Sequence, residues 1–183
     1  MDLKNLSFDE KLSDGGKIHI RFIHPNDKKK LVEGFQHLSK QSIHFRFLGS
    51  KKELTRNDLK YFTEIDYDKH IALVATIPCN EDDEIVAVGR YIETEQFGSA
   101  RSAEVALAIV DNHQNRGIGS FLFKKLMQIA RTKGLTQFEA YVFPDNKRMI
   151  EIFNHHAFNV HLSREEDLIY ITCSIIENNR KVD

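Results

Sequence analysis

Residues 105–120 read VALAIVDNHQNRGIGS. An unbroken apolar segment runs into a polar loop, then two glycines, then an amphipathic stretch. That order predicts a strand, a turn and a helix N-terminus. Backbone N–H groups left free at a helix start form an anion site, and the helix dipole reinforces it. Gly117 and Gly119 carry no side chain that would hold a phosphate away, and Arg116 adds a positive charge beside them. These residues alone point to a diphosphate-bearing ligand.

The elements that must position this loop follow from periodicity. Residues 7–23 predict a hairpin turning at Asp14-Gly15-Gly16, with Ile18, Ile20 and Phe22 alternating with His19 and Arg21. Leu31, Val32, Phe35 and Leu38 share a helical face after Pro25. A second helix begins near Thr55, where the Thr55…Asp58 spacing suggests a capping box and Leu59 and Phe62 give an apolar face. Residues 71–77 and 85–92 predict strands joined by the acidic tip Glu81-Asp82-Asp83-Glu84, read as solvated. Residues 102–110 predict a strand buried on both faces, because its apolar run is continuous. Helix 117–133 carries Ile118, Leu122, Leu126 and Ile129 on one side and stops at Gly134. Strand 138–142, helix 146–156 and strands 158–162 and 168–174 complete the chain. The fold class expected is α/β: one domain over residues 1–183, with a mixed sheet of about six to seven strands and helices on both faces. Residues 1–17 form an N-terminal extension or hairpin, and residues 177–183 a frayed tail.

Composition narrows the function classes. The chain has 183 residues, 41% hydrophobic and 29% charged, with a formal net charge of -1. Such a balance argues against binding nucleic acid through bulk charge. No apolar run reaches the length of a membrane span, and Met1-Asp2-Leu3-Lys4 does not open like a signal peptide, so a cytoplasmic location is expected. Cys79 and Cys173 read as reduced structural thiols. Neighbouring helical residues diverge by about 100°, so His155 and His156, with His161 nearby, are not expected to share a metal; no metal site is expected.

Gln114-Asn115-Arg116-Gly117-Ile118-Gly119 fits the Q/R-x-x-G-x-G/A pattern and resembles the cofactor loop of the GNAT superfamily of N-acetyltransferases. Pro144-Asp145-Asn146 with the following helix, ending at Ala157-Phe158, is similar to that family's second cofactor segment. The element order over residues 18–174 agrees. A narrower similarity links Ser39-Lys40-Gln41-Ser42-Ile43-His44-Phe45-Arg46-Phe47, Glu53-Leu54-Thr55, Ile65-Asp66-Tyr67-Asp68 and Ala103-Glu104-Val105-Ala106 to the bacterial protein lysine acetyltransferases of the Pat type, which modify acyl-CoA synthetases. Their acetyltransferase domain is often fused to a second domain. This chain's length leaves no room for one, so regulation through such a partner is not carried over.

The resemblance implies direct acetyl transfer from acetyl-CoA to an amine. It implies a cofactor set of Ala108, Ile109 and Val110 on the strand, Gln114, Asn115, Arg116, Gly117, Ile118, Gly119 and Ser120 in the loop, and Asn146, Met149 and Phe153 in the second segment. The amides from Asn115 to Ser120 would wrap the diphosphate, with Arg116 adding a charged contact. Backbone groups of Ile109 and Val110 would pair with the pantetheine arm, and an N–H near Val110 would hold the oxyanion. Asn146 would meet the pantetheine amide, cap its helix, or both. Asn112 and His113 would shape the loop; Lys124 and Lys125 would lie on a solvated face or reach the adenosine phosphate. Glu104 matches the general-base position; the bland alternative is a solvated glutamate or one paired with Arg101. A lysine ammonium has a reference pKa of about 10.4, so a base is needed. Asp66, Tyr67 and Asp68 are candidates for the acceptor site or a plain loop. Phe153 stands where many members place a general-acid tyrosine, Ala157 where a glycine is usual, and His44 where a tyrosine is usual. The expected partners are acetyl-CoA and a protein lysine. A small amine as acceptor, or a non-catalytic acyl-CoA sensor, are the alternatives.

Overall fold

Gly15 adopts φ +86° and the Leu12 N–H reaches the Gly16 carbonyl at 2.7 Å, closing the hairpin between β1 (Ser7–Lys11) and β2 (Lys17–Phe22). The computed structural model describes residues 6–79, 82–94 and 100–177. Met1 to Lys4, Glu81, the Cys79 side chain and the tail beyond residue 177 therefore lie outside the described residues. After the hairpin come α1 (Lys28–Gln36), α2 (Lys40–Phe47), α3 (Arg56–Thr63), β3 (His70–Cys79), β4 (Asp82–Glu93), β5 (Ser102–Ile109), α4 (Ile118–Thr132), β6 (Gln137–Val142), α5 (Lys147–His156), β7 (Phe158–Glu165) and β8 (Leu168–Ser174).

The strands form one mixed sheet in the order β1-β2-β3-β4-β5-β6-β8-β7, with β5–β6 the parallel pair. It has eight strands, more than expected, because β1 registers on β2 from Ser7↔Arg21 to Lys11↔Lys17 and so joins the sheet. Helix α2 is also additional. Its residues carry no helical apolar stripe and none is buried, so periodicity gives no sign of it. The Ser39 side chain caps it by accepting from the Ser42 N–H. Thr55 and Asp58 form the expected capping box on α3.

Alternate β4 residues face opposite sides. On one side lies α4, which buries Ile118, Leu122, Phe123, Leu126 and Ile129. Gly89 admits that helix: a Cβ there would stand 2.9 Å from Leu107 and 3.1 Å from Leu126. The Phe123 ring meets Phe138 at 5.8 Å and Phe153 at 5.1 Å, both edge-on, joining α4 to β6 and α5. On the other side, α1 lies close enough that a Cβ on Gly34 would be 3.0 Å from the Ile85 carbonyl.

Two expectations about strands change. The acidic tip is not simply solvated: Asp82 and Asp83 both take Lys30, and Asp83 lies 3.5 Å from Arg21. Strand β5 is not buried on both faces throughout. Ala103 and Val105 are buried, whereas residues 106–109 are half-buried, because the neighbouring strand leaves them.

Phe123 ties three elements together. Phe123→Ala is expected to lower the unfolding free energy by about 3–5 kcal/mol, measured by urea denaturation.

Candidate active site

Pairing between β5 and β6 spans three residues, Ser102↔Gln137, Ala103↔Phe138 and Glu104↔Glu139. Beyond them β6 stays with β8 as far as Val142↔Ile169, while β5 stays with β4 as far as Ala87↔Ile109. The sheet therefore parts. In an antiparallel ladder successive residues turn their backbone groups to opposite sides. The Val110 N–H donates to the Val86 carbonyl at 2.9 Å, so residues 106 and 108 also face β4, and Leu107 and Ile109 face the opening.

The helix start closes one end of this opening. Asn115 (φ 60°) and Gly117 (φ 88°) turn the chain into α4, whose N-cap makes no side-chain hydrogen bond. The first-turn N–H groups of Ile118, Gly119 and Ser120 thus have no intrahelical acceptor. Gly119 sits against α5 and β5: a Cβ would lie 3.0 Å from Ile152 and 3.5 Å from Ile109. The result is a groove of about 790 Å³ between β5, the α4 start and α5.

Ala108, Ile109, Gln114, Asn115, Gly117, Ile118, Gly119, Ser120, Asn146 and Met149 all line the groove. Three expected residues are placed elsewhere. Val110 is 6% exposed and its N–H is engaged with Val86, so it offers neither an oxyanion donor nor a strand-edge contact. Arg116 is drawn to the hairpin turn: its Nε donates to Asp14 at 2.6 Å and another nitrogen meets His113 Nδ1 at 2.9 Å. Phe153 is 0% exposed in the core against Phe123 and does not line the groove.

Gln114 acts as a brace. Its Nε2 donates to Ser42 Oγ at 3.1 Å and to the Ile109 carbonyl at 3.0 Å, and its Oε1 accepts from Arg148. Asp111 accepts from the Ser39 N–H at 2.9 Å and Ser42 Oγ at 3.1 Å. Burial pushes the Asp111 carboxyl up, but the Ser39 and Ser42 hydrogen bonds outweigh this and hold it below its usual value. Sequence reasoning missed Asp111, Arg148 and Lys147; Ser39-x-x-Ser42 was a legible cap signal. Asn146 caps α5, accepting from the Met149 N–H at 3.4 Å. Lys125 pairs with Glu10 at 2.9 Å, away from the groove.

Glu104 is exposed where the two strands part, opposite Glu139. Arg101 does not hold it; that arginine pairs with Glu93. Asp66, Tyr67 and Asp68 do not line the groove. Asp66 accepts the Asp68 and His70 N–H groups at 2.8 Å, Tyr67 OH donates to the Ile23 carbonyl and Asp68 takes Lys133. His44 stacks on Phe143 with ring centroids 4.1 Å apart. Cys173 is buried and its thiol is pushed up to about 12 by that burial, so it stays protonated. Among the described residues no group of three or more His, Cys, Asp or Glu is placed to hold a metal. No described helix is long and apolar enough to cross a membrane.

A second, smaller cavity of about 60 Å³ lies between α1, α3 and β4, walled by Phe35, Phe47, Phe62, Val86 and Val88. Arg46 and Ala108 line both this cavity and the groove. Arg90 enters it from β4 and meets His70 Nε2 at 3.0 Å. Burial, and then the Arg90 charge, hold the His70 imidazole neutral and push it down to about 4.

Two outcomes follow. Phe153→Tyr buries a hydroxyl without a partner and is expected to cost about 1–3 kcal/mol, read by urea denaturation, with no gain in transfer rate. His70 binds a proton more readily when unfolded. Its contribution to stability is therefore present above pH 6.5 and is lost as pH falls toward about 4. His70→Gln is expected to flatten the stability profile across that window, measured by denaturation at a series of pH values.

The comparisons with known proteins agree with this geometry. The Acetyltransferase (GNAT) family matches residues 41–158. An acetyltransferase of Pseudomonas aeruginosa is 31% identical over 145 residues, 78% of this chain and 75% of that protein. The acetyltransferase Pat of Mycolicibacterium smegmatis is 32% identical over 140 residues, 76% of this chain but 40% of that longer protein. The crystal structure of the GNAT domain of S. lividans PAT superposes with a TM-score of 0.82 at 30% identity, covering 92% of this chain and 96% of that one. With a parted sheet, an uncapped helix start and matched sequence across most of its length, the chain belongs to the GNAT family and is an N-acetyltransferase similar to the Pat type.

Proposed function

We propose that the protein transfers the acetyl group of acetyl-CoA directly to a protein lysine, with Glu104 as general base. The observation that carries this reading is the coincidence of three features around one parting of the sheet: strand edges of Leu107 and Ile109 without a β partner, first-turn amides of α4 without acceptors, and an exposed carboxylate where the strands separate.

The amides of Ile118, Gly119 and Ser120 receive the diphosphate, at the positive end of a fifteen-residue helix. Lys147 and Arg148 at the start of α5 supply the side-chain charge that sequence reasoning assigned to Arg116. Leu107 and Ile109 offer backbone groups to the pantetheine amides in the manner of an added strand. Glu104, directly or through a water, accepts a proton from the lysine ammonium. The neutral nitrogen attacks the thioester carbon, the C–N bond forms, and the carbonyl electrons move onto oxygen. An N–H of Leu107 or Ile109, rather than that of Val110, is directed to stabilise that charge. Collapse breaks the C–S bond, the nitrogen gives up its second proton to water, and the thiolate leaves. A thiol has a pKa of about 8.5, so water suffices to protonate it, and no tyrosine at position 153 is needed. The accessible position of Glu104 supports an amine presented on a protein surface, and the cytoplasm is the compartment that fits this donor.

Acetyl-CoA at 100 times its dissociation constant is expected to stabilise the fold by about 2.7 kcal/mol, seen as a higher unfolding temperature and lost in a folded Gly119→Glu variant. Glu104→Gln is expected to keep that stabilisation while transfer falls about 10²–10⁴-fold. Equal turnover by the two proteins would remove Glu104 from the mechanism, and absence of any acetyl-CoA shift would remove the cofactor reading.

A further inference from the structure

The second cavity is apolar, yet two guanidinium groups reach it. Arg90 is 4% exposed. Its terminal nitrogens meet His70 Nε2 at 3.0 Å and, weakly, the Phe62 carbonyl at 3.4 Å, while its Nε has no hydrogen-bond partner. Its guanidinium carbon lies 4.5 Å from the Phe62 ring centroid. Arg46 lies over the same ring at 5.9 Å and over Phe47 at 5.1 Å. Neither arginine makes an ion pair among the described residues, and no acidic residue lines the cavity.

Burying a charge without a counterion costs several kcal/mol, and apolar residues of similar size would be the more stable choice. Structure alone therefore does not account for the buried Arg90, beside which the half-buried Arg46 adds a second positive charge. His70, held neutral, can accept a hydrogen bond from Arg90 but supplies no counter-charge. A guanidinium fork matches a planar carboxylate in two-point contact. The cavity admits only a small group, and Ala108 and Arg46 form a wall common to it and the groove, next to the strand edge proposed to run along the pantetheine arm. The Glu104 charge acts on Arg46, and Glu104 sits where β5 and β6 part.

We propose that this cavity is a carboxylate-binding subsite of the transfer chamber, in which Arg46 and Arg90 hold an acidic end of one of the two reactants. It extends the proposed function, on which its role in transfer rests. The acid has two chemical sources: a dicarboxylic acyl group on coenzyme A, or an amine acceptor that also carries a carboxylate. In either case the bonds made and broken are those of ordinary transfer, C–N formed and C–S broken, and the carboxylate takes no part in the chemistry.

The test uses the full chain and begins with thermal unfolding in succinate against succinamide. A rise in unfolding temperature with succinate alone, lost in Arg90→Met and in Arg46→Met, is expected. Transfer then distinguishes the sources. Succinyl-CoA favoured over butyryl-CoA by about tenfold or more in wild type, and not in either variant, assigns the acid to the acyl group. A comparable preference for β-alanine over β-alaninamide assigns it to the acceptor. Arg90→Lys, which keeps the charge but not the fork, is expected to retain part of the preference. If a methionine variant does not fold, the wild-type succinate shift and carboxylate preferences decide. No succinate shift together with no preference in either arm overturns the subsite. That result with acetyl-CoA stabilisation intact leaves the proposed function standing, whereas a succinate shift without any acetyl-CoA shift removes the proposed function and leaves the anion site.

Discussion

Everything in the site depends on the place where β5 and β6 cease to pair. Backbone N–H and C=O groups need partners, so a strand released by its neighbour must find other ones. Past Glu104↔Glu139, the Ile109 carbonyl is met by the Gln114 side chain, and the rest of that edge borders the groove. Two stronger attachments hold the strands apart. β6 is bound along its length to β8, and β5 to β4. Beneath them, Phe123 links α4 to β6 and α5 through aromatic contacts, so the opening is set by the core rather than by a flexible loop.

The loop itself is held by residues distant in sequence. Gln114 joins α2, β5 and α5 in one cluster of hydrogen bonds, and Asp111 anchors the start of α2. Arg116 fastens the other side of the loop to Asp14 on the first hairpin. These contacts preorganise the amides of the α4 start, so that binding an anion does not require ordering the chain first. Helix α2 contributes no buried residue. Its attachment rests on Ser39 and Ser42, on the His44–Phe143 stack and on Phe47 packed against Phe35 and Phe62.

Charge is distributed unevenly between the two cavities. The groove mixes acids and bases, with Asp111, Asp145 and Glu151 among Arg46, Lys147 and Arg148. The smaller cavity contains cationic groups without acids. Burial, and then the neighbouring Arg46, pull the Arg90 guanidinium down to about 9, still charged at neutral pH. In low dielectric such a charge interacts strongly with whatever approaches it, so Arg46, shared by both spaces, couples their electrostatics.

The sequence by itself determined the features that depend on local order. Gly117 and Gly119 after an apolar run specified the anion-binding turn, the 3.6-residue spacing of Ile118, Leu122, Leu126 and Ile129 specified α4, and Thr55 with Asp58 specified the start of α3. Each needs only neighbours within a few residues. Tertiary structure decided which way individual side chains and backbone groups point. Phe153 occupies a position in the second cofactor segment, yet packing against Phe123 turns it into the core. Arg116 lies in the phosphate loop, yet Asp14, about a hundred residues earlier, claims it. Val110 is used by β4 because strand pairing fixes the alternation of N–H directions. Pattern within one segment sets its conformation, whereas partners contributed by other segments set its orientation, and those partners exist only once the sheet has formed.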